Sequence, residues 1–133
     1  YNKAISLNNL EKDLLQPMSK ISKEISEFDA ENQKDWFIPD EYKNMNIWIY
    51  TLDKCPDDIP EMTRVCEELT LYDKYGIIDV LKVCVYIVDT LRKNNLVWGV
   101  GRGSSVSSYV LYLLGIHKVD SIRYGLDINE FLK

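Results

Sequence analysis

Histidine is almost missing from this 133-residue chain. His117 stands alone beside three cysteines, Cys55, Cys66 and Cys84, none of them in CxxC spacing. One histidine excludes a cysteine–histidine zinc site, and an odd number of widely spaced thiols excludes a disulfide framework. Three ordinary thiols, two of them buried, are the expectation. Long apolar runs are missing too: none approaches the roughly 18 residues of a membrane span, and no basic-then-apolar leader opens the chain. The cytoplasm is the expected compartment, with no membrane partner. The chain starts at Tyr1 without Met, so a longer natural N-terminus is expected to have been trimmed.

Excess positive charge is also lacking. A net charge of -5 argues against a free-standing nucleic-acid binder that works by general attraction. The average hides a contrast, because Arg92, Lys93, Arg102, Lys118 and Arg123 face only Asp120 within residues 91–126. Apolar residues at 46% and charged residues at 28% are ordinary for a globular chain, and the length suits one modest core.

Periodicity supplies the elements. Leu7, Leu10, Leu14, Leu15, Met18, Ile21 and Ile25 recur at helical steps, interrupted by Pro17, which predicts a kinked or divided helix. Residues 27–35 are polar without periodicity and read as a linker. Residues 36–39 read as extended ahead of Pro39. A short helix follows over residues 47–54, capped by Asn44 or Asn46 and ended by Pro56. Asp57 or Asp58 then caps a longer helix through Met62, Val65, Cys66, Leu69 and Tyr72, closed by Gly76. Residues 77–94 are too long for an ordinary strand and predict a buried helix with Ile78, Leu81, Val85, Val88 and Leu91 on one face. Leu96-Val-Trp98 reads as a short strand. Ser104 is expected to open a helix over residues 106–114 that stops at Gly115.

Three of the six glycines, Gly99, Gly101 and Gly103, fall between that strand and that helix. Glycines let the backbone take positive φ and let a ligand come close, while the first N–H groups of a helix lie unpaired at the positive end of its dipole. Such a turn suits an anion. Gly101, Arg102, Gly103, Ser104 and Ser105 are the candidate phosphate-binding residues: the serines add hydroxyl donors, and Arg102 offers a planar fork for two phosphate oxygens. The bland alternative is a sharp turn with Ser104 as a helix cap. A Walker loop fails because no Lys follows the glycines. A dinucleotide fingerprint fails on the spacing of Gly103, and Asp120 follows a helix stop rather than a strand. A serine nucleophile fails because the second glycine is missing, and His117 reads as a surface or capping residue.

The sequence Trp98-Gly-Val-Gly-Arg-Gly-Ser-Ser-Val-Ser-Ser-Tyr-Val-Leu-Tyr-Leu-Leu-Gly-Ile resembles the Gly-Pro-Gly-Arg-Gly-Ser-Ala-Ala-Gly-Ser segment of family C DNA polymerases, the bacterial DNA polymerase III alpha subunits. Val119-Asp-Ser-Ile-Arg-Tyr-Gly-Leu and Phe131-Leu132 are similar to that family's Val-Asp-Pro-Leu-Arg-Tyr-Gly-Leu and Arg-Phe-Leu. Upstream, Arg64-Val and Glu68-Leu are similar to its Arg-Leu-x-x-Glu-Leu. The resemblance covers residues 60–133 well and 36–59 loosely. Short genes of this look resemble ones carried by tailed bacteriophages, which would place the chain in a host cytoplasm.

The resemblance implies an α/β, mainly helical fold: a fragment of a polymerase-β-like nucleotidyltransferase palm with one or two short strands, over residues 36–133. Residues 1–35 would form an N-terminal helical segment and linker. It further implies that Gly103 and Ser104, with Gly101 and Arg102 beside them, contact a deoxynucleoside triphosphate. Val100, Ser107 and Asn129-Glu130 depart from the family's pattern, and its Asp-x-Asp metal strand has no counterpart here. Asp120, Asp127 and Glu130 lack that spacing and read as turn acids. The chain by itself is expected to have neither catalytic nor metal-binding residues, and Mg²⁺ with a dNTP would need carboxylates from a partner. DNA contact would be weak alone. The competing expectation is a non-catalytic protein that binds host or phage replication proteins.

Overall fold

In the computed structural model, which describes residues 22–34, 37–98 and 103–133, every regular element is helical. The chain divides into two compact units, Tyr1–Phe37 and Ile38–Lys133. In the first unit, α1 (Ile25–Lys34) occupies most of the stretch expected to be a linker. It buries no residue, so packing does not hold it. Ala30, Glu31 and Gln33 favour helix intrinsically, Glu27 and Lys34 complement the helix dipole, and Lys23 pairs with Glu31. Periodicity could not find it, because a helix that buries no residue carries no sustained apolar stripe. The kinked helix expected over residues 7–25 lies almost wholly outside the described residues, as does Trp36.

The second unit contains α2 (Asp40–Lys43), α3 (Ile47–Leu52), α4 (Ile59–Lys74), α5 (Ile78–Lys93) and α6 (Tyr109–Leu114). Short 3₁₀ turns at Ser104–Ser107 and Ile128–Glu130 complete it. Asn46 caps α3 through its side chain, which accepts from Trp48 N and Ile49 N. Asp58 occupies the N-cap of α4, yet its side chain makes no capping bond. Helices α3, α4, α5 and α6 all touch one another, and α2 joins on α5. At their centre lies α6, whose sequence Tyr-Val-Leu-Tyr-Leu-Leu is apolar on every side, the pattern of a helix meant for burial. Val65, Leu69, Leu81, Val85 and Val110 are each no more than 2% exposed. Each such side chain contributes roughly 1.5–3 kcal/mol relative to exposure.

No strand occurs among the described residues, which corrects the expected α/β architecture. Leu96-Val-Trp98 has the composition of a strand and nothing to pair with. The end of α5 claims it instead: Leu96 N donates to Leu91 O at 2.9 Å and Asn95 N to Arg92 O at 3.1 Å, with Asn95 at φ 52°. That is a Schellman stop, and it leaves Val97 99% exposed. Helices α4 and α6 end in the same motif, through Gly76 and Gly115. The expected thiols also need correcting. None is fully buried, since Cys55 and Cys84 are half-buried and Cys66 is exposed. Burial pushes the thiols of Cys55 and Cys84 up, away from the reactive thiolate.

Candidate functional site

Of the candidate phosphate-binding residues, Gly103, Ser104 and Ser105 are placed by the structure, whereas Gly101 and Arg102 lie outside the described residues. Gly103 stands at φ 81°, ψ −165°, a region essentially reserved for glycine. No described atom lies within 4 Å of where its Cβ would be, so among the described residues conformation and not crowding requires glycine. Ser104 is exposed and Ser105 half-buried. Both begin a 3₁₀ turn, where the first N–H groups have no partner inside the turn.

The expected continuous helix from Ser104 is divided at Ser108, and the division changes which N–H groups are open. At the start of α6, Tyr109 N and Val110 N donate to the two carboxylate oxygens of Glu68, at 2.8 and 2.9 Å, and Leu111 N donates to Ser108 Oγ at 3.2 Å. The end of α6 is therefore already filled by a carboxylate from α4. The 3₁₀ turn at Ser104–Ser107, by contrast, has no side-chain cap.

Glu68 is fully buried, and its carboxylate also accepts from Ser108 Oγ at 2.7 Å and from Arg64 Nε at 2.6 Å. Ser108 has one hydroxyl proton, which goes to Glu68, so the buried Tyr72 hydroxyl donates to Ser108 Oγ across 3.0 Å. Burial pushes the Tyr72 phenol far above its ordinary value. The Arg64 guanidinium continues outward to Ser107 O at 2.8 Å and Leu126 O at 2.9 Å. Ser121 Oγ donates to Val106 O at 2.9 Å. The downstream end of the glycine turn is thus held from α4 and from Ser121. Arg64 and Glu68 were visible in the sequence as a similarity at i,i+4 spacing, but nothing local showed that the pair caps a helix forty residues away.

His117, expected at the surface or as a cap, is 1% exposed, which removes the surface alternative. Its Nδ1 accepts from Val119 N at 3.2 Å, which leaves Nε2–H to donate to Ser108 O at 3.0 Å. Burial holds this imidazole below its ordinary value of about 6.5. The unfolded chain takes up a proton near the ordinary value and the folded chain only below it, so stability is full above about pH 6.5 and declines as pH falls beneath it. The unfolding midpoint is expected to drop between pH 7.5 and 5.5, and His117→Gln to flatten that drop. Thermal melts followed by circular dichroism check both. Equal pH slopes in the two proteins would refute the assignment.

Upstream of the turn, Trp98 Nε1–H donates to Gly115 O at 2.8 Å, and Lys118 Nζ lies 4.8 Å from the indole centre. Arg92 approaches the same ring at 5.8 Å while pairing with Asp89 at 3.3 Å. Two of the three acids read as turn residues behave as such: Asp120 accepts from Ile122 N and Arg123 N, and Asp127 from Asn129 N and Nδ2, whereas Glu130 accepts from Ser107 Oγ at 3.4 Å. The Asn129 bonds hold the Asp127 carboxyl below the usual range. Among the described residues no three His, Cys, Asp or Glu side chains gather to hold a metal ion. No helix among them is long and apolar enough to cross a membrane.

Residues 42–133 match the family described as the bacterial DNA polymerase III alpha NTPase domain. The DNA polymerase III subunit alpha of Thermotoga maritima is 35% identical over 71 residues, 53% of this chain and 8% of that protein. Its counterpart in Buchnera aphidicola is 30% identical over 91 residues, 68% of this chain and 8% of that protein. That of Staphylococcus aureus is 32% identical over 71 residues, 53% of this chain and 7% of that protein. The chain therefore spans less than a tenth of the length of these relatives. No solved structure matches it.

Proposed function

Because the chain belongs to the bacterial DNA polymerase III alpha family through residues 42–133, we propose that it serves DNA replication by binding a deoxynucleoside triphosphate at residues 101–105. The observation that carries this reading is Gly103, held at positive φ and followed by the exposed Ser104. The N–H groups and hydroxyls of Ser104 and Ser105 would meet phosphate oxygens, and Arg102 would add a bidentate contact. Arg64, Glu68 and Ser108 hold the turn's exit at Ser107 and Ser108. Residues 101–105 bind and orient; Mg²⁺ would arrive with the triphosphate and be held by carboxylates from another chain. The chain alone is inactive in this reading.

Titration with a dNTP tests it. Wild type is expected to bind, and Gly103→Asp with Ser104→Ala to lose at least about tenfold in affinity, a difference of about 1.4 kcal/mol. Equal absence of binding in both proteins refutes the triphosphate site. Primer extension by the purified chain with Mg²⁺ would refute its inactivity.

A further inference from the structure

Helix α4 has two working faces. Val65, Leu69 and Tyr72 enter the core, while Ile59, Thr63 and Glu67 form an exposed ridge at four-residue steps on the outside. Grooves flank that ridge on both sides. One, of about 810 Å³, runs past Met62 and Cys66 to Ile128. The other, of about 550 Å³, runs past Arg64 to Ile122 and Leu126. Ile59, Thr63 and Glu67 line both. A ridge of residues spaced by four, with a groove on either side, is the surface a helix offers to another helix. Ile59 at 80% exposure and Met62 at 40% stand without a covering side chain among the described residues.

Charge selects the occupant. Glu67 and Asp127 line these grooves, and the cation among their lining residues, Arg64, already binds Glu68 and two carbonyl oxygens. Nucleic acid would bring further negative charge to this acidic rim. We propose that the outer face of α4 is a docking surface for a basic amphipathic helix of a partner protein. Apolar anchors of that helix, spaced at three and four residues, enter the Met62 groove, and its lysines or arginines meet Glu67 and Asp127. The proposal is independent of the triphosphate site, which lies on other residues.

The test uses the full chain and two labelled helical peptides of about 18 residues, roughly five turns. They carry the same leucine stripe, one with a lysine-rich and the other with a glutamate-rich polar face. Fluorescence anisotropy is expected to show binding of the lysine peptide and at least about tenfold weaker binding of the glutamate peptide. Ile59→Lys with Met62→Lys should weaken the lysine peptide at least about tenfold, the loss typical of an interface anchor. Both positions are exposed, so the fold is kept, and circular dichroism verifies it. Glu67→Gln should reduce the salt dependence, and Val97→Lys, at an exposed site outside these grooves, should change nothing. Failure of both peptides to bind overturns the proposal, as does equal binding of the two or indifference to Ile59→Lys with Met62→Lys. A wild-type dimer in sedimentation that Ile59→Lys dissolves would also overturn it, by making the occupant a second copy. The dNTP titration reads the other site separately.

Discussion

Glu68→Ala is expected to lower stability by about 3–5 kcal/mol, the loss typical when one member of a buried ion pair is removed. For a chain of this size the unfolding midpoint should fall by roughly 10–20 °C. The alanine strands four donors: the N–H groups of Tyr109 and Val110, the Ser108 hydroxyl and the Arg64 Nε–H. Water cannot replace the carboxylate at a position with no exposure without opening the contact between α4 and α6. Glu68→Gln keeps one acceptor oxygen and should cost less than alanine. The Lys82–Asp79 pair, at 2.9 Å with the Asp79 carboxylate 71% exposed, supplies the contrast. Asp79→Ala should stay within about 1 kcal/mol of wild type, because solvent screens an exposed carboxylate. Urea and thermal unfolding measure all three. A Glu68→Ala protein as stable as Asp79→Ala would show that the α6 end does not depend on this carboxylate.

Gly115→Val is expected to cost about 2–3 kcal/mol, from two separable causes. The first is conformation, since φ 84° at the end of α6 is a strained angle for any side chain and most of all for a β-branched one. The second is space. A Cβ at Gly115 would stand 2.6 Å from Arg92 Nη2, so the flexible guanidinium must shift, a smaller cost than the strain. Gly125 separates the causes, because its φ is 62° but no described atom lies within 4 Å of its Cβ position. Gly125→Ala should therefore cost about 1 kcal/mol, strain alone. In an Arg92→Ala background the Gly115 substitution should lose its spatial part, leaving a coupling energy a double-mutant cycle reads directly. Additive effects at the two positions would mean that the guanidinium moves aside freely.

The large helices were legible because their signals are local. Val65, Leu69 and Tyr72 in α4, and Leu81, Val85 and Val88 in α5, repeat at helical spacing and are buried as that spacing requires. Gly76 and Gly115 marked helix ends because few other residues adopt the angle those ends need. Failures came where composition was misleading. Leu96-Val-Trp98 has strand residues without a partner strand, and α1 has helix-forming residues without a buried face.

Sequence alone carries the family, and it nominates a candidate site. Residues 42–133 carry the family match, and the glycine-arginine-glycine-serine run directs attention to residues 101–105. Tertiary structure decided which hydrogen-bond donors near that run are already taken. Glu68 lies forty residues from the helix it caps, and only the packing of α4 against α6 carries its carboxylate to Tyr109 and Val110. Spacing along the chain can announce a helix or a turn, because those are set by neighbouring residues. Whether a helix end faces a ligand or a buried glutamate is set by what folds across it, and there the donor positions shift from α6 to the uncapped 3₁₀ turn at Ser104 and Ser105.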